Sequence, residues 1–135
     1  MSKKKRPNFQ VQDLPYVEAA STDKQHPRFC LRYLSKSHNV SALEDKGKRA
    51  DFAERLELLS QLTWAEIKMQ NRHKLGFENM PVDQLRVALP DYFADASKVQ
   101  IFRYSGLLPM IGIRSQDVFH VLALAADFGD FYDHG

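Results

Sequence analysis

Residues 98–125 read KVQIFRYSGLLPMIGIRSQDVFHVLALA, and the fold turns on how this stretch divides. Three runs rich in β-branched and aromatic residues stand out: KVQIFRY (98–104), LPMIGIR (108–114) and VFHVLALA (118–125). The breaks between them, Ser105-Gly106 and Ser115-Gln116-Asp117, are short enough for hairpins, so the pattern predicts a three-stranded antiparallel meander. With both turns tight, Arg103 is expected opposite Met110, Ile101 opposite Gly112, Gly112 opposite His120 and Arg114 opposite Val118. Side chains alternate along a strand, so Phe102, Tyr104, Ile111, Ile113, Phe119 and Val121 should share one face. The other face should hold Arg103, Arg114 and His120 beside Gly112, a glycine that leaves room.

Upstream, the apolar period lengthens. From about Lys48 to Leu62, Phe52, Leu56 and Leu59 recur at spacings of four and three, with Leu58 and Leu62 widening the stripe, which predicts an amphipathic helix. Ser41-Ala-Leu-Glu44 has the form of a capping box ahead of it. A second box, Thr63-Trp-Ala-Glu66, opens another helix whose face carries Trp64, Ile67, Asn71 and Leu75, with Gly76 as its stop. Almost no loop joins the two, so a helical hairpin or an angled pair follows. RFCLRYL (28–34) is strand-like, whereas PVDQLRVALPDYF (81–93) is ambiguous and Pro90 limits any helix in it. The expected order is therefore one strand, two helices covering the Phe102 face, then the meander: an α+β domain over residues 28–135. Residues 1–27, with three prolines and little periodicity, read as an extension of weak structure.

Length and composition agree with a single globular domain: 135 residues, 44% hydrophobic and 27% charged. No apolar run approaches a membrane span, so a soluble protein with no membrane partner is expected. The basic start lacks the apolar stretch of a secretory signal. Cys30 is the single cysteine, which excludes an internal disulfide and a cysteine-rich zinc site and fits a reducing, cytoplasmic setting. The net charge of +2 is unevenly spread: residues 1–36 hold eight Lys and Arg against three Asp and Glu, and residues 117–135 hold four Asp with no Lys or Arg. The cluster Lys3, Lys4, Lys5 and Arg6 is a candidate contact for a polyanion. No glycine-rich phosphate loop, zinc-spaced ligand set or G-x-S-x-G elbow is present.

This order of elements, together with a chain ending in FYDHG, resembles the RelE/ParE superfamily of small bacterial toxins, and the likeness runs from about Arg28 to Gly135. The resemblance implies a RelE-like toxin domain and, for its ribonuclease members, cleavage of messenger RNA, usually on the ribosome, with a cognate antitoxin protein as partner. Position by position, Tyr132-Asp133-His134 is similar to the acidic, tyrosine and histidine cluster of HigB-like toxins. Arg103 and Arg114 take the place of phosphate-binding arginines, and His73 and Lys74 of basic residues before the meander. The implied chemistry is metal-free and needs no cofactor. A ribose 2′-OH attacks the adjacent phosphate, His134 or His120 moves the proton, the arginines hold the phosphate charge and Tyr132 stacks or orients. Asp133 would orient His134, and removal of residues 131–135 is then expected to leave a folded but inactive protein. Two other readings of the same residues are a toxin-like module acting through protein contacts, and a nucleic-acid-binding accessory protein that uses the basic arm.

Overall fold

A computed structural model describes residues 21–71 and 74–133. Its centre is a five-stranded mixed sheet in the order β1-β5-β4-β3-β2, where β1 is Arg28–Cys30, β2 Phe77–Pro81, β3 Lys98–Ser105, β4 Leu108–Ser115 and β5 Val118–Leu124. Strands β2 to β5 are successively antiparallel, and β1 runs parallel to β5 along the far edge. The helices are α1, Lys46–Ser60, and α2, Trp64–Lys68. The architecture is thus α+β.

Strand β1 is shorter than the expected 28–34. The chain turns out at Leu31, where the Leu34 N–H donates to the Leu31 carbonyl, and rejoins β5 through Ser35 N–H to Leu122 O and Leu124 N–H to His38 O. Helix α1 is capped by Asp45, whose carboxylate accepts from Gly47 N–H, and not by the box at Ser41. The box at Thr63 forms as the sequence predicts, with Thr63 and Glu66 satisfying each other's backbone N–H groups. Yet α2 lasts only to Lys68, and Gly76 packs so closely on the chain beyond it that a Cβ there would sit 2.3 Å from the Gln70 carbonyl oxygen. Leu58, placed on the apolar stripe by its spacing, is exposed on α1.

The sheet is covered on both faces. On one side Phe52 and Leu59 of α1 and Trp64 and Ile67 of α2 pack on Phe102, Tyr104, Met110, Phe119, Val121 and Leu124. On the other, Val99, Ile101, Ile111 and Ala123 meet Phe131 and Tyr132, with Met80, Val82, Leu85, Val87 and Leu89 at the margin. The ambiguous segment after β2 is therefore an irregular cover for the second face, stopped by Pro90 before a short turn at Asp91–Phe93.

The register corrects the expected faces. Phe102, not Arg103, lies opposite Met110, and Gly112 faces Val121 while Ile113 faces His120. A shift by one residue reverses a strand's faces, so Met110, Gly112 and Arg114 lie on the helix side and Ile111 and Ile113 lie away from it. The second hairpin is also shifted by one, so β5 returns to the expected orientation. Phe119 and Val121 face the helices, and a bulge at Leu122 then carries Leu124 to the same side.

Candidate functional site

Arg103 projects from β3 into the second core and is almost fully buried. Its Nη1 donates to the Tyr132 hydroxyl at 3.0 Å and to the Leu107 carbonyl at 3.2 Å, and its Nη2 reaches Glu78 Oε1 at 3.3 Å. Glu78 comes from the neighbouring strand β2, whose pairing with β3 brings it alongside. A guanidinium taken out of water needs such a set of acceptors, since a buried charge without partners is costly. Tyr132 fills the same pocket and is itself buried. These two predicted site residues do meet, but inside the fold.

Arg114 lies on the opposite face. Its guanidinium carbon stands 4.2 Å from the centre of the Trp64 ring, a cation–π contact. Its Nη2 donates to Thr22 Oγ1 and Asp23 Oδ1, each at 2.8 Å, and its Nε to the Gln116 carbonyl. Lys68 reaches the other oxygen of Asp23 at 2.8 Å, and these hydrogen bonds hold the Asp23 carboxyl below its ordinary range. Arg103 and Arg114 therefore cannot grip one phosphate, because the sheet separates them. The room beside Gly112 is not open either: a Cβ there would lie 2.4 Å from the Phe119 ring. The glycine lets Phe119 cross β4 to reach Trp64 and Phe102.

His120 shares Arg103's face but sits among aromatic rings, with Tyr33 at 5.8 Å and Phe93 at 5.3 Å between centroids. Its buried Nδ1 has no hydrogen-bond partner, and burial lowers its pKa. That environment favours the neutral ring over the charged one.

Asp133 is exposed, and Arg86 holds it by an ion pair of 2.7 Å. Arg86 also donates through its side chain to the Gly129 carbonyl and through its backbone N–H to Phe131 O. This clamp on the C-terminal segment was not singled out from the sequence, because Arg86 belongs to the ambiguous stretch. Lys74 is exposed, and its carbonyl accepts from Arg55 Nη1, which also donates to the Arg103 carbonyl. His73, His134 and the arm residues Lys3, Lys4, Lys5 and Arg6 lie outside the described residues.

A second polar group went unread in the sequence because SKSH (35–38) has the composition of a turn. Ser37 Oγ lies 3.0 Å from His38 Nδ1, and His38 Nε2 is 3.8 Å from Asp130 Oδ2. Asp130 Oδ2 also accepts the N–H groups of Ala126 and Asp127, which fixes the chain between β5 and Phe131. Lys48 adds a bond from α1 to the Ala126 carbonyl. His38 is thus a partly exposed imidazole, flanked by a hydroxyl and a carboxylate, where the C-terminal segment leaves the sheet.

Among the described residues no group of His, Cys, Asp and Glu is arranged to hold a metal ion, and no helix is long and apolar enough to cross a membrane. No protein-family model matches the chain, and searches of curated proteins and of solved structures give no significant match.

Proposed function

We propose that this chain is a RelE/ParE-like toxin module of a toxin–antitoxin pair that acts in the cytoplasm by contact with a macromolecular target, without cutting RNA at its sheet. The observation that carries this reading is the fate of the two arginines. Arg103 is buried against Glu78 and Tyr132, Arg114 is bound to Asp23 on the opposite face, and neither can hold the charge of a phosphorane. The order of one strand, two helices and then antiparallel strands supports the toxin-like part of the reading, although an unexpected edge strand, β2, precedes the three predicted ones. Induced expression in bacteria tests it: growth should stop while transcripts stay intact, and co-expression of a cognate antitoxin should restore growth. Transcripts cut at defined sites would overturn it.

The Ser37, His38 and Asp130 group favours a second reading, a metal-free endoribonuclease acting on messenger RNA at the ribosome through 2′-OH attack. His38 would be the proton-transfer group, imidazole being the side chain most often used for that job. Cleavage that disappears in His38→Ala and survives in Arg114→Lys would select it.

A further inference from the structure

The exposed aromatic surface beside β1 belongs to neither reading. Tyr33 and Tyr92 are stacked nearly parallel, 4.9 Å apart with 9° between their planes. Phe93 meets both rings edge-on, at 5.2 Å from Tyr33 and 4.9 Å from Tyr92, and rests on His120 of β5. The pair is thus anchored to the sheet through a buried phenylalanine, yet 70% of Tyr92 remains exposed. An aromatic ring this open, held in one orientation by its neighbours, offers a flat face whose ordering cost on binding is already met.

Its surroundings narrow the ligand. The Arg32 guanidinium carbon is 5.4 Å from the centre of the Tyr33 ring. A cavity of about 370 Å³ opens alongside, with Tyr33, Lys36, Ser35 and the apolar side chains of Leu89 and Pro90 in its wall. Flat π-faces, a guanidinium over a ring, a hydroxyl and an ammonium are the groups that hold an unpaired nucleobase and its phosphate. We infer that the Tyr33–Tyr92 pair is a stacking platform for single-stranded nucleic acid, with one base on the exposed face of Tyr92 and the strand continuing past Tyr33 toward Arg32 and Lys36. Asp91 and Asp95 flank Tyr92 in the chain and offset the two cations, so stacking carries the affinity here more than phosphate neutralisation.

That balance sets the experiment, made on the full chain so that the basic arm contributes equally to every variant. Fluorescence anisotropy with a ten-nucleotide uridine RNA, the matching thymidine DNA and a duplex of mixed sequence would be measured for wild type, Tyr92→Phe, Tyr92→Leu and Tyr92→Ala. The single strands should bind wild type and Tyr92→Phe alike, and the leucine and alanine variants roughly 5- to 100-fold more weakly, the usual worth of one stacked base. The ratio of wild-type to Tyr92→Leu affinity should stay constant between low and high salt, because an uncharged stacking contact releases no counterions. A tighter RNA complex would assign the site to RNA, and equal binding to single strands of either sugar. Unchanged affinity in Tyr92→Leu, a ratio that collapses with salt, or equally tight duplex binding would each overturn the platform. Thermal midpoints keep the comparison sound, and the leucine variant decides should alanine unsettle the fold.

Discussion

Arg103 on β3 donates a hydrogen bond to the hydroxyl of Tyr132, three residues from the C-terminus, across 3.0 Å of buried space. The bond ties the end of the chain to the centre of the sheet, so both residues hold the fold together. Arg103→Ala would take a buried cation away from Glu78 and the tyrosine hydroxyl, at a cost of about 3 kcal/mol for a mostly buried pair. Tyr132→Phe removes one acceptor and leaves Arg103 its other two, at about 1 to 2 kcal/mol. Urea unfolding of the two variants should return that order, and equal midpoints would mean that the guanidinium is solvated.

Truncation before Phe131 should destabilise the protein, contrary to the expectation that the ending can be removed from an intact fold. Phe131 has no exposed surface and Tyr132 almost none. Loss of a buried aromatic side chain alone costs about 3 to 5 kcal/mol, a large part of a small domain's roughly 5 to 15 kcal/mol. Circular dichroism of a chain ending at Asp130 should show a lowered melting midpoint, and an unchanged one would remove Phe131 from the core.

Gly112→Ala should be among the more harmful single-methyl additions. The new Cβ would fall on the Phe119 ring and the His120 carbonyl, both 2.4 Å away. Overpacking of this kind costs about 1 to 3 kcal/mol. The near-ultraviolet signal of Trp64, whose ring lies 6.3 Å from Phe119, should change with it. A variant as stable as wild type would show that β4 can move aside.

Stability should fall as the solution is acidified from about pH 7 toward 5, and His120 should account for part of the fall. Burial lowers its folded-state pKa below the ordinary 6.5. The unfolded chain therefore binds a proton before the folded one does, and the linkage slope is positive. The contribution is whole above the unfolded value and is lost as pH drops through it toward the folded value. Unfolding free energies at several pH values should show a shallower slope for His120→Gln. An identical slope would place the imidazole in water.

Strands β3 to β5 and the α2 cap were legible in the sequence because each is signalled locally: β-branched runs between short turns, and a threonine three residues before a glutamate. Register was not. In β4, Met110, Ile111, Gly112 and Ile113 are all apolar or small, since the strand is buried on both faces, and a continuous run carries no alternation to say which side faces which. The resulting one-residue error at each hairpin cancelled for β5 and left β4 reversed, which is why Arg114 was expected beside Arg103. Strand β2 escaped notice because FENMP has neither alternation nor β-branched residues and ends in a proline, which suits an edge. The irregular cover over the second face has no period to detect, so the burial of Arg103 and Tyr132 could not be foreseen.

The parallel pairing of β1 with β5 also bears on how the protein is made. Arg28 bonds to Asp117, 89 positions away in the chain, and β1 has no other neighbour in the sheet. During synthesis the residues of β1 emerge long before their partner exists. The edge of the sheet can close only after the last strand has left the ribosome, a slow, non-local step. A chain halted upstream of Val118 would expose both Phe29 and the faces that β5 is meant to fill, so a complete copy and an interrupted one should differ sharply in their demand for chaperones.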